Sequence, residues 1–277
     1  MINAILADLQ NIDNVRLIML GGSHGAGTAD TQSDYDIYVY AKGAIPLSQR
    51  KEILSQYFRY IEYQNTYWEE EDDGILTNGT EAEIIYRDID FIDNQFADIF
   101  THHHKGFAYS TCFAFNILNS KIIYDKNNKM AEYHHLKEQY PIELQNKIIT
   151  ENITLIADKM PALYYQIAKA IKRQDYLSLN HRLTAYFEIY FDILFALNAR
   201  FHPGEKRLLD YLDTLTHKPD DLKANIQSIL QSAYTNPQQA IDLLKLISTQ
   251  LETLIQNQGY NYTKSDYARI KSQKNAQ

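Results

Sequence analysis

Gly21-Gly22-Ser23-His24-Gly25-Ala26-Gly27-Thr28-Ala29-Asp30-Thr31-Gln32-Ser33-Asp34-Tyr35-Asp36-Ile37-Tyr38-Val39-Tyr40 joins a glycine-rich turn to two carboxylates spaced i and i+2. Immediately upstream, Val15-Arg16-Leu17-Ile18-Met19-Leu20 is an apolar run of strand length that stops at two glycines, so a buried strand should end at Gly21. Glycine has no Cβ, takes positive φ readily and lets the backbone approach a ligand closely. Ser23 adds a hydroxyl and an N-cap for a following helical turn, and free N–H groups at such a turn suit phosphate oxygens. Downstream, Asp34 to Tyr40 alternates as a strand does: Asp34 and Asp36 share one face, Tyr35, Ile37 and Val39 the other. Twice the strand rise puts the two aspartate Cα atoms roughly 6 to 7 Å apart. Oxygens at that spacing can converge on one or two magnesium ions, which in two-metal sites lie about 3.5 to 4 Å apart.

Such a site wants a third carboxylate from a neighbouring strand. Glu81-Ala82-Glu83-Ile84-Ile85-Tyr86-Arg87-Asp88 is a β-branched and aromatic run that offers it. Glu83 is the candidate. Glu81 shares its face but lies nearer the Asn78-Gly79 turn, and Asp88 falls on the opposite face by parity. Glu83 would complete the metal shell or take the proton from an attacking hydroxyl.

These residues resemble the nucleotidyltransferase superfamily: a strand, Gly-Gly-Ser, a spacer of about ten residues, Asp-x-Asp on the next strand and a later third acid. The match is close over the first 40 residues. Gly21-Gly22-Ser23 through Asp36, Glu83-Ile84-Ile85-Tyr86-Arg87-Asp88 and Leu197-Asn198-Ala199-Arg200-Phe201-His202-Pro203-Gly204-Glu205-Lys206 look like the bacterial branch related to aminoglycoside adenylyltransferases. The resemblance implies an α+β fold: a small mixed-sheet catalytic domain over 1–140, then an all-α substrate-binding domain over 141–277. It also implies Mg²⁺ and a nucleoside triphosphate, usually ATP, with transfer of the nucleoside monophosphate to a hydroxyl and release of pyrophosphate. Asp34, Asp36 and Glu83 would be the catalytic and metal-binding residues, and Gly22 and Ser23 would hold the β and γ phosphates. The resemblance carries a lysine where Lys206 stands, and Lys206 is expected to contact the triphosphate. Much of this branch has Asp at the third acidic position, where this chain has Glu83.

Composition bounds the alternatives. A chain of 277 residues with 45% hydrophobic content can bury one large core or two modest ones, and the change of pattern near residue 140 favours two. A net charge of −8 argues against an enzyme that grips long nucleic acids, which rests on clustered Lys and Arg, and suits a cationic small acceptor. The single cysteine, Cys112, excludes an internal disulfide framework. No apolar run reaches about 18 residues and the N-terminus lacks the order of a signal peptide, so a cytoplasmic protein without membrane contact is expected.

Along the chain, helical spacing predicts a helix over Ile2 to Leu9 and another over Leu47 to Tyr63. Trp68-Glu69-Glu70-Glu71-Asp72-Asp73-Gly74 reads as a solvated turn, with the edge of a lid as the alternative. Trp68 could stack a base or sugar, but core or edge packing is its commoner role. Helices are expected over Ile89 to Phe100 and Ser110 to Leu118, and a short edge strand over Lys121 to Tyr124, giving four or so strands in a mixed sheet. From Ile142 the pattern is helical: Ile142 to Arg173 bent at Pro161, Leu177 to Phe201, Glu205 to Thr216, Pro219 to Ala233 and Pro237 to Gln256, with a polar tail frayed at its end. Short loops imply an antiparallel bundle with an aromatic core.

His102-His103-His104 cannot all face one ion from a helix, so a metal there is disfavoured. His24 could touch a phosphate, with loop solvation an equal alternative. Glu188 and Asp192 lie i and i+4 on one helix face; a solvated face is the plainer reading, and a pair facing a cationic acceptor the sharper one. Three other function classes stay open: AMP attachment to a protein hydroxyl, as antitoxin-type nucleotidyltransferases do; nucleotide binding without catalysis; and transfer to RNA ends, disfavoured because no basic, aromatic-interleaved strip is visible.

Overall fold

The computed structural model describes residues 1–27, 30, 33–267 and 270. The architecture is α+β, and the chain divides into two compact units, 1–98 with 113–139 and 99–112 with 140–277. The first contains α1 (Ile2–Gln10), β1 (Val15–Leu20), α2 (Gly22–Ala26), β2 (Tyr35–Ala41), α3 (Leu47–Leu54), β3 (Phe58–Asn65), β4 (Glu70–Leu76), β5 (Glu81–Asp88) and β6 (Lys121–Asp125). Most of α4 (Asp90–Phe100) and α5 (Cys112–Asn119) also belongs to it. The strands form one sheet in the order β3-β4-β5-β2-β1-β6, with β2 and β5 parallel and every other pair antiparallel.

One face of the sheet is apolar. Ile37, Val39, Ala82, Ile84, Ile18 and Leu20 pack there with Ile5, Leu6 and Leu9 of α1 and Leu54 of α3. Each such large side chain contributes on the order of 1.5 to 3 kcal/mol by leaving water, which fixes the register of β2 and β5. With Ile37 and Val39 committed inward, Asp36 must point to the other face.

The sheet has two more strands than the sequence led us to expect. Phe58 to Asn65 is β3, where a continuous helix from Leu47 was expected, and the acidic run lies in β4, where a solvated turn or lid edge was expected. Alternation along the strand resolves the five consecutive acids. Glu70 and Asp72 reach Arg50 at 3.0 and 3.3 Å, while Glu69, on the opposite parity, grips Arg87 at 2.6 and 2.5 Å. Trp68 is neither core nor edge packing: it stands 90% exposed at the β3–β4 turn beside Tyr67.

Arg50 and Asp72 are both buried, and Asp72 also accepts from Gln64 N–H (2.9 Å) and Tyr86 Oη (3.0 Å). Removing one partner of a buried pair leaves an uncompensated charge. Arg50→Met is therefore expected to cost about 3 to 5 kcal/mol in urea unfolding, with part of the loss restored by Asp72→Asn in the same chain.

In the second unit, α6 (Ile142–Ile153) runs into a π-helical turn over Thr154–Asp158, followed by α7 (Leu163–Lys172), α8 (Tyr176–Leu197), α9 (Leu208–Tyr211), α10 (Leu222–Ser232) and α11 (Pro237–Asn257). The expected bend at Pro161 is thus a full break, prepared by the π turn. Asp175 caps α8 by accepting from Ser178 N–H, and Asn236 caps α11 just before Pro237. Tyr186 and Tyr190 are fully buried, and their hydroxyls pair with Ser248 Oγ (2.8 Å) and the Ile247 carbonyl (3.3 Å) of α11. The expected helix from Glu205 begins only at Leu208, because Arg207 takes a left-handed φ of 58°. After α11 the chain is tied back: Ser265 N–H donates to the Asp158 carboxylate at 2.8 and 3.0 Å, and Lys264 pairs with Glu252 at 2.6 Å. The end of the tail that was expected to fray lies outside the described residues. Among the described residues, no helix is long and apolar enough to cross a membrane.

Candidate active site

The glycine-rich turn and the aspartate strand meet as the sequence suggested. β1 stops at Leu20, Gly21 N–H donates to the Asp36 carbonyl oxygen at 2.9 Å, and α2 begins at Gly22. Gly21 rather than Ser23 is the N-cap, so Ser23 sits inside the first turn of α2. Gly22 has a φ of 52°, and a Cβ there would lie 1.8 Å from Asp36 Oδ2, so only glycine lets the turn close onto this carboxylate. Gly25 is equally tight, since its Cβ would lie 2.3 Å from the Leu20 carbonyl oxygen. His24 stacks on Tyr35 with ring centroids 3.9 Å apart, and its Nε2 lies 3.4 Å from the Ser33 carbonyl oxygen. The histidine thus braces the loop against β2. Thr28, Ala29, Thr31 and Gln32 of the expected phosphate loop lie outside the described residues.

Asp36 is the register partner of Glu83 on the adjacent parallel strand β5, and Glu83 in turn pairs with Asp73 on β4. Neighbouring strands lie about 4.8 Å apart, so three carboxylates form one rung across three strands, with Asp34 just before β2 at its edge. Their electrostatic communication shows in Glu83, whose carboxyl is raised above the usual range by desolvation first and then by the negative charges of Asp36, Asp73, Asp34 and Glu71. Asp73 accepts from Asn65 Nδ2 at 2.8 Å through one oxygen, while its other oxygen is buried with no hydrogen-bond partner among the described residues. Asp73 and Glu71 were missed because the acidic run was taken as a turn; the signal that would have found them is their period of two with Glu69.

Among the described residues, no group of three or more His, Cys, Asp or Glu forms a ready-made metal cage. The donor chemistry still fits a hard cation. Magnesium keeps several waters and is often held by one or two carboxylates together with substrate phosphates, and Asp36, Asp34 and Glu83 offer such an incomplete shell.

Beyond the rung, the same sheet face turns aromatic. Arg87 lies under Tyr38, Phe91 and Phe113, with its guanidinium carbon 4.7, 4.7 and 5.7 Å from the three ring centroids, and donates to Tyr40 Oη at 3.1 Å. Asn116 Nδ2 donates to Tyr38 Oη at 3.2 Å. The Tyr38 hydroxyl is pushed up to about 12 by burial and by Asp36, so it stays protonated beside the carboxylates.

In the second unit the structure corrects the reading of Glu188 and Asp192. Glu188 is half-buried, but Asp192 neither lies on a solvated face nor offers itself to a ligand. It is 2% exposed and accepts from Ser110 N–H (3.0 Å), Ser110 Oγ (2.7 Å) and Asn152 Nδ2 (3.3 Å). Burial raises its carboxyl to about 6. Nearby His202 is fully buried and lowered to about 4 by burial; its Nδ1 accepts from Gly204 N–H at 3.1 Å. Lys206 is exposed in the turn before α9, not in a helix.

Asp192 and His202 drive stability in opposite directions. The folded chain holds the Asp192 proton up to about pH 6 while the unfolded chain releases it near 4, so stability falls as pH rises across that interval. For His202 the unfolded chain binds the proton first, so stability rises between about pH 4 and 6.5. Asp192→Asn should therefore leave a stability that climbs with pH over this range, and His202→Gln one that falls. Chemical denaturation at half-unit pH steps reads both slopes.

The family described as Domain of unknown function (DUF4037) matches residues 110–208, which include Ser110, Asp192, His202 and Lys206. No curated protein matches the chain. Several solved structures resemble the chain at low identity. One is the nucleotidyltransferase-like protein from Exiguobacterium sibiricum 255-15, at 8% identity over 92% of this chain and 73% of that one, with a TM-score of 0.43. An aminoglycoside 6-adenyltransferase from Bacillus subtilis is 13% identical over 98% of this chain and 94% of that one, TM-score 0.28. The Thermotoga maritima CCA-adding enzyme complexed with tRNA is 11% identical over 93% and 80% of the two chains, TM-score 0.33.

Proposed function

We propose that this chain is a magnesium-dependent nucleotidyltransferase that moves a nucleoside monophosphate, AMP from ATP, onto the hydroxyl of a small acceptor and releases pyrophosphate. The observation that carries this reading is the Asp36–Glu83 pairing at one level of two parallel strands, with Gly22 closed against the Asp36 carboxylate. Asp34 and Asp36 would hold Mg²⁺, with Glu83 beside them. When bound, the ion supplies charge neutralisation on the phosphoryl oxygens. Gly22 and Ser23 present the turn to the β and γ phosphates, and Lys206 is proposed to contact the triphosphate. Glu83 accepts the proton of the acceptor hydroxyl as its oxygen attacks the α phosphorus. The first unit is proposed as the catalytic domain and the second as the acceptor-binding domain. The acidic sheet face favours a cationic acceptor, such as an amino sugar, over long nucleic acid.

Glu83→Gln tests the chemistry apart from binding. ATP affinity should change by no more than a few-fold, while pyrophosphate release in the presence of pooled amino-sugar acceptors falls by roughly 10²- to 10⁴-fold. Unchanged release would remove Glu83 from catalysis, and the absence of any release from the unmodified chain would favour a nucleotide-binding regulator.

A further inference from the structure

The first unit holds a pocket of about 390 Å³ that the proposed reaction does not use. It lies where β1 begins and β2 and β5 end. Lys42 on its wall is six residues beyond Asp36, about 20 Å along the strand, so a molecule bound here is not the reacting nucleotide. The turn that carries Lys42 is pinned by hydrogen bonds. Asn14 Nδ2 reaches the carbonyl oxygens of Lys42, Gly43 and Ala44 at 3.4, 3.3 and 3.2 Å, and Gly43 N–H donates to Asp88 at 3.0 Å.

Its lining residues are almost entirely charged, with Ile89 the one apolar side chain, so an apolar ligand finds little to bury against. Arg16, Lys42 and Lys129 face Asp90, Asp93 and Glu132 in number, three charges of each sign, but the pairing among them is uneven. Lys129 serves both Asp93 (2.6 Å) and Glu132 (3.2 Å), so two carboxylates share one ammonium. Asp90 has no ion pair among the described residues, and neither Arg16 nor Lys42 has a carboxylate within salt-bridge distance there, Lys42 having only the longer-range attraction of Asp88, whose carboxyl it helps to lower. Arg16 is oriented by donating Nη1 to the carbonyl oxygens of Asp13 (2.7 Å) and Val15 (3.1 Å). The start of α4 does not compete for an anion, because Asp88 already accepts from Asp90 N–H at 2.9 Å.

We infer that this pocket binds a small zwitterion, with its carboxylate or phosphate on Arg16 and Lys42 and its ammonium among Asp90, Asp93 and Glu132. With Ile89 the one apolar side chain of the lining, a ligand with a short carbon skeleton suits it better than a bulky apolar one. Whether the anion is a carboxylate or a phosphate separates free amino acids from phosphorylated amino alcohols.

The test is calorimetric titration of the full chain, without nucleotide, by the twenty free amino acids and by phosphoethanolamine, with inorganic phosphate and spermidine as ligands of one sign. At least one zwitterion should bind with sub-millimolar Kd, more tightly than phosphate or spermidine, and weaken tenfold or more in Arg16→Gln and in Lys42→Gln. Lys42 is exposed, so its variant keeps the fold if Arg16→Gln does not. Absence of binding by every zwitterion overturns the inference, as does equal binding of phosphate or spermidine, or binding that survives in the doubly substituted chain. Asp36→Ala, which should end nucleotidyl transfer, leaves this binding unchanged, so the two readings fail separately.

Discussion

Asp36→Ala is expected to lower nucleotidyl transfer by roughly 10³-fold or more, the scale on which a group that organises transition-state charge is lost. The fold should survive. Asp36 contributes its backbone to the β2 ladder, which alanine keeps, and its side chain points away from the apolar face on which Ile37 and Val39 pack. An unchanged urea midpoint with abolished pyrophosphate release is the expected pair of results, and normal turnover would sink the assignment.

Gly22→Ala should be as damaging to activity by a different route. The new Cβ meets Asp36 Oδ2 at 1.8 Å and Cγ at 3.0 Å, and a short aspartate can escape only by swinging its carboxylate out of the rung. The residue must also hold a φ of 52°, which costs an alanine about 1 to 3 kcal/mol. Gly79→Ala separates the two effects. Gly79 also has positive φ, 95°, but open space where its Cβ would stand, so the substitution should cost stability without touching transfer. Loss of nucleotide binding in Gly22→Ala but not in Gly79→Ala would assign the effect to the contact with Asp36. Equal activity in both would detach the glycine turn from the site.

What could be read from the residues alone follows from how local their causes are. β1, the turn and β2 were legible because an apolar run, two glycines and an alternating aspartate strand each act within a few residues. β5 was legible for the same reason, and with it the placing of Glu83 and Asp88 on opposite faces by parity. β3 and β4 were not. Four of the five consecutive acids lie in β4, where Arg50 takes Glu70 and Asp72 while Arg87 takes Glu69 just before the strand, and nothing local announces either pairing. Asp192 shows the same limit: its i, i+4 spacing from Glu188 marks a helix face, but Ser110, which fixes its burial, lies 82 residues away. The late start of α9 rests on a left-handed Arg207, a backbone choice that arginine does not signal.

A magnesium-assisted nucleotide site on the Asp34–Asp36–Glu83 face of the sheet underlies every step proposed above. Calorimetric titration of ATP, then GTP, CTP and UTP, with and without Mg²⁺, into the unmodified chain and into Asp34→Ala and Asp36→Ala tests it most directly. ATP should bind in a magnesium-dependent manner, and that binding should disappear in both variants. Binding that ignores magnesium or persists in Asp36→Ala, or no binding of any nucleotide, would contradict it.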